Sequence, residues 1–97
     1  MSVLANFAIF PLDKGTSVSA YVARAVRIIR ESGLPCQIGP MTTVIEGDWD
    51  EVMHVIDRCF KDLQNDSDRI YMTLNVDYRE GRNNGITEKV ASVERKL

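Results

Sequence analysis

The sequence predicts an α+β domain in which a four-stranded antiparallel sheet carries two helices on one face and a further helix at the C-terminus. Three observations predict it. Two stretches, 18–29 and 52–63, repeat apolar residues at helical spacing. Four others, near 3–12, 36–38, 41–46 and 69–79, read as strands. Their order is strand, helix, strand, strand, helix, strand, which is the split βαβ arrangement of ferredoxin-like βαββαβ folds.

The first strand is apolar on both faces: Val3, Ala5, Phe7 and Ile9 alternate with Leu4, Asn6, Ala8 and Phe10. Such strands are covered on both sides, and in a domain this small the second cover is expected from another subunit. Pro11 closes the strand and Asp13-Lys14-Gly15-Thr16 forms the turn. Ser17 is the expected N-cap of the first helix, whose inner stripe is Val18, Tyr21, Val22, Ala25, Ile28 and Ile29. Arg24, Arg27 and Arg30 are expected on its solvent side. Gly33 and Pro35 end it.

A short second strand, Cys36-Gln37-Ile38, turns at Gly39-Pro40 into the third, Met41 to Glu46. Asp48-Trp49-Asp50-Glu51 has the form of a capping box. It opens a second helix to about Leu63, with Val52, Val55, Ile56, Cys59 and Leu63 inside and Trp49 expected in the core at its start. The fourth strand alternates most cleanly: Ile70, Met72, Leu74, Val76 and Tyr78 are expected under the helices. Tyr71, Thr73, Asn75 and Asp77 are expected on the open face, beside Leu4, Asn6, Ala8 and Phe10. Ile86, Val90, Val93 and Leu97 mark the last helix, starting near Thr87.

The chain of 97 residues reads as one domain, 1–97, and its 44% apolar and 27% charged residues are those of an ordinary globular protein. No run approaches the ~20 apolar residues that span a bilayer, and no signal peptide is evident, so a cytoplasmic location is expected. The net charge of −2 argues against nucleic-acid binding. An RNA-binding sheet of the same topology would need aromatics on its third strand, and 41–46 has none. Cys36 and Cys59 lack metal spacing and read as buried free thiols. His54 sits among charges with no nucleophile beside it, so neither a metal nor an enzyme is expected.

The polar residues expected to converge are Thr43, Glu46, Asp77 and Arg79, with Asn6 brought near Glu46 and Asp77 by strand pairing; the competing reading is a solvated strand rim. Strand alternation alone does not place Thr43 and Glu46 on one face. Ser17, at a helix start, could face a ligand.

Phe10-Pro11-Leu12, Ser17-Val18-Ser19-Ala20-Tyr21-Val22, Ser32-Gly33-Leu34-Pro35, Pro40 to Gly47 and Val76-Asp77-Tyr78-Arg79 together resemble the MTH1187/YkoF-like family of small thiamine-binding proteins (UPF0045, DUF77). The likeness runs nearly end to end, and the T-x-I-E-G core, Thr43 to Gly47, is its most specific part. Thr42 stands where the family usually has glycine, and Asp77-Tyr78-Arg79 where it often has D-D-R. The resemblance implies a protomer that dimerises through its sheets, often into tetramers. It also implies non-catalytic binding of thiamine or its hydroxymethylpyrimidine moiety, with Ser17, Thr43, Glu46, Asp77 and Arg79 as site positions. A carrier or sequestering homodimer or homotetramer is then expected, with no cofactor beyond the ligand. The alternative is a ligand-free regulatory or assembly module using the open sheet face.

Overall fold

The computed structural model describes residues 2–97 and has the expected order: β1 (Val3–Pro11), α1 (Ser19–Glu31), β2 (Cys36–Ile38), β3 (Thr43–Gly47), α2 (Trp49–Gln64), β4 (Ile70–Tyr78) and α3 (Gly85–Glu94). All strand pairs are antiparallel, in the order β2-β3-β1-β4. It is an α+β, ferredoxin-like sheet with α1 and α2 on one face.

Register assigns the faces. Phe7 pairs with Thr43 and Leu74, and Ala5 with Ile45 and Val76, so these residues share the helix face. Leu4 pairs with Glu46 and Asp77, and Asn6 with Val44 and Asn75, on the opposite face. The core lies between sheet and helices: Val3, Ala5, Phe7, Ile9 and Ile45 meet Ala25 and Ile29 of α1 and Val52, Val55, Ile56, Cys59 and Leu63 of α2. Burial pushes the Cys59 thiol up to about 11, as an apolar surround does to any thiol.

Several local expectations are corrected. Ser17 is not the N-cap of α1; Val18 holds that position without a side-chain cap, and its carbonyl accepts from the N–H of Tyr21 and Val22. Asp48 is the N-cap of α2, yet its side chain makes no cap bond. The favourable charge at that helix start comes from Asp50 and Glu51 in the first turn. Trp49, the first residue of α2, is 54% exposed rather than in the core. Cys36 is only half-buried, on the edge strand β2.

Arg24 does not point freely into solvent. It donates to Asp62 (3.0 Å) and Asp66 (2.8 Å), clamping α1 to the end of α2, and these bonds hold the Asp66 carboxyl below its ordinary range. On β4 the helix-side expectation holds for Ile70 and Leu74, which pack on the core. Met72, Val76 and Tyr78 are exposed, since β4 is the sheet edge beside β1 and the helices pack over β1, β2 and β3.

The third helix starts at Gly85, two residues before Thr87. None of the described helices is long and apolar enough to cross a membrane.

Candidate functional site

The β2–β3 turn is tight because the Gly39 N–H donates to the Thr42 carbonyl at 2.8 Å. A Cβ at Gly39 would stand 2.9 Å from that same oxygen, so only glycine fits this close approach. The turn carries Pro40 and Met41 out over the sheet, opposite the N-terminal half of α1. Between them lies a cleft of about 230 Å³. Its walls are Phe7 and Ile9 from β1, Val22, Val26 and Ile29 from α1, Ile38 at the end of β2 and Met41 from the turn.

Thr43 also lines this cleft, and it is 7% exposed. Of the residues around the cleft it alone combines a polar side chain with full burial, and no hydrogen bond of its hydroxyl occurs among the described residues. A hydroxyl both donates and accepts, so it can fix the orientation of a polar ring edge within an otherwise apolar space. Val18 lines the same cleft, while its neighbour Ser17 is exposed just outside.

Glu46 lies three residues further along β3 and therefore on the opposite face. It is 4% exposed. Oε2 accepts from the Gly85 N–H at 2.7 Å and from the Ser2 hydroxyl at 3.1 Å, and Oε1 accepts from the Ile86 N–H at 3.3 Å. Both carboxylate oxygens are thus engaged at the first turn of α3. A carboxylate at that end satisfies N–H groups that no helical carbonyl reaches and complements the helix dipole. This is why α3 begins at Gly85.

Asp77 occupies the same row of the open face, across Leu4 from Glu46. It does not pair with Arg79. It takes Arg82 and Lys89, each at 2.9 Å, and these two cations hold its carboxyl down to about 2, with the Lys89 contact the larger cause. Arg82 also donates to the Asp77 carbonyl at 2.8 Å. Arg79 is exposed beyond the end of β4. Asn6 lies in the next row, beside Val44 and Asn75, in a shallow depression that Leu4, Asp77 and Lys89 also line.

The structure therefore divides the six expected site residues. Thr43 stands in the cleft with Ser17 at its margin, whereas Asn6, Glu46 and Asp77 lie on the other face of the sheet and Arg79 beyond its edge. The cleft walls were missed from sequence because Val22, Val26, Ile29, Phe7 and Ile9 carry the periodicity of ordinary core residues. Gly39-Pro40 was the available signal, since a tight turn facing a helix leaves space under it.

A family model described as "Thiamine-binding protein" matches residues 5–94. A UPF0045 protein of Mycobacterium tuberculosis is 45% identical over 98 residues, covering 100% of this chain and 96% of its own length. A UPF0045 protein of Methanocaldococcus jannaschii is 35% identical, covering 94% of this chain and 91% of its own. The crystal structure of that archaeal protein superposes with a TM-score of 0.89 at 34% identity, over 96% of each chain. A Thermotoga maritima structure named as a candidate thiamine biosynthesis/salvage protein superposes with a TM-score of 0.85 at 25% identity, covering 96% of this chain and 99% of that one.

Proposed function

The chain belongs to the UPF0045 family of thiamine-binding proteins, and from that premise we propose that it binds thiamine, through the hydroxymethylpyrimidine moiety, in the cleft between α1 and the β2–β3 turn. The observation that carries this reading is the buried Thr43 at an apolar cleft beneath the turn. An aminopyrimidine is flat, has two apolar faces, and carries ring nitrogens and an amine on its edge. Phe7, Ile9, Val22, Val26 and Ile38 offer the faces apolar contact, and the Thr43 hydroxyl serves the edge. Ser17, exposed beside Val18 of the cleft, is proposed to meet a ligand group that emerges there.

The role is carriage or sequestration in the cytoplasm, without catalysis. His54 is exposed on the outer face of α2, and α2 contributes no residue to the cleft. Glu46 is proposed to act on the ligand only indirectly, as the anchor of α3.

Asn6, Asp77 and Arg79 are then assigned to the other side of the sheet, where a second copy of the chain would sit. On that face Phe10 and Tyr71 form a tilted ring pair with centroids 5.6 Å apart, and Tyr71 is half exposed. β4 adds a nine-residue edge with Met72, Val76 and Tyr78 uncovered on the other side. Long exposed edges of this kind are covered in stable proteins, which favours a homodimer or homotetramer. The same observation supports the second reading, a ligand-free assembly module built on the open sheet face.

Calorimetric titration with thiamine and with hydroxymethylpyrimidine separates the two. Saturable heat from a well-folded oligomer supports the binding protein; its absence with both compounds leaves the assembly module.

A further inference from the structure

We infer that the ligand of the cleft is a phosphate ester, with Arg27 and Arg30 receiving its phosphoryl group. This rests on the reading of the cleft given above and names the class of ligand it takes.

The cleft does not end at Val26. A wider groove of about 830 Å³ runs along the outer flank of α1 and shares Val18, Val22, Val26, Ile38 and Pro40 with the cleft, so the two adjoin along α1. Beyond the shared residues the groove is lined by α1 alone: Ser19, Ala23, Arg27, Arg30 and Glu31. The three arginines of α1 thus have two fates. Arg24 is held by Asp62 and Asp66 on the α2 side. Arg27 and Arg30 are exposed on the groove side, and neither forms an ion pair with another described residue. Glu31 offsets one of these charges and leaves the groove with one positive charge in excess.

Charge complementarity then selects the occupant. A ring seated beside Thr43 has this groove as its neighbouring space on the α1 side. Thiamine without phosphate brings a cationic thiazolium toward two guanidinium groups, which opposes binding. A phosphoryl group reverses the sign and offers oxygens that guanidinium groups bind in pairs. The preferred ligand is therefore a mono- or diphosphate of an aromatic heterocycle rather than the free alcohol.

The test is calorimetric titration of the full chain with thiamine, thiamine monophosphate and thiamine diphosphate at low and high salt. Three proteins are compared: wild type, the double variant Arg27→Gln/Arg30→Gln, and Arg58→Gln, which removes an exposed charge from α2 outside both cavities. Wild type is expected to bind the phosphates about tenfold more tightly than thiamine, the scale of two partly exposed charge contacts, with the preference shrinking in high salt. The double variant should lose that preference and bind thiamine no worse, while Arg58→Gln keeps it. Equal affinities in wild type, or equal losses in the double variant and Arg58→Gln, overturn the inference. If thiamine binds and the phosphates add nothing, only the phosphoryl inference fails. If none of the three compounds binds, the reading of the cleft fails with it.

Discussion

The carboxylate of Glu46 and the backbone N–H of Gly85 meet at 2.7 Å across a sequence separation of 39 residues. That bond joins the end of β3 to the start of α3. A Cβ at Gly85 would lie 3.1 Å from the same oxygen and 3.4 Å from Leu4, so a side chain there would have to push the Glu46 carboxylate or Leu4 aside. Much of the rest of α3 is exposed, Val90 and Val93 included. The Glu46 contact and the Asp77–Lys89 ion pair both tie it to the sheet.

Glu46→Gln should therefore loosen α3 before it affects anything else. The amide keeps one acceptor oxygen but loses the charge that favours the helix N-terminus, a loss of about 1–2 kcal/mol for a buried carboxylate–amide contact. Faster hydrogen exchange over 85–94, with β1 and α2 still protected, is the expected result.

Asp77 should make stability depend on acid. Its folded-state carboxyl is held at about 2, below the ordinary 3.8, so the unfolded chain binds the proton more readily between these values. The stabilisation is complete above about pH 4 and is lost as pH falls toward 2. Melting temperatures measured across this range should fall less steeply for Asp77→Asn than for wild type, and the variant should melt lower at neutral pH.

The Arg24 clamp gives a third expectation. Arg24→Met removes the guanidinium but keeps an apolar stem, leaving Asp62 and Asp66 without their partner. Because all three side chains are partly exposed, the loss should be about 1 kcal/mol, read from urea denaturation. The double variant with Asp62→Asn should lose less than the sum of the two single changes.

Self-association through the open face predicts a change in mass. Tyr71→Glu places a charge beside Phe10 at the ring pair. Light scattering should then give an oligomer mass for wild type and a mass nearer the 11.0 kDa protomer for the variant, without loss of helical signal.

Element order, the inner stripes of α1 and α2 and the face assignment of β1 were legible from periodicity, because burial on one side imposes it. Contacts between distant segments were not. Nothing local to Glu46 announces a helix start at Gly85, and nothing in 24–30 tells Arg24 from Arg27 or Arg30 until α2 is packed alongside. Trp49 and Val76 read as core because their apolarity is visible in sequence, while their places at the first residue of α2 and on the edge strand β4 are not. Thr43 and Glu46 were legible as a motif. Their placement on opposite faces follows from register with Phe7 and Leu4, and it divides one expected cluster into a cleft residue and a helix anchor.

The most direct test of the cleft is thiamine titration of wild type beside Thr43→Val and Thr43→Ser. Removing the hydroxyl while keeping the side-chain shape should weaken binding about tenfold, the cost of one buried hydrogen bond, and serine should restore most of it. Equal affinity in all three proteins, each with unchanged melting and mass, would contradict the assignment of the ligand to Thr43 and its cleft.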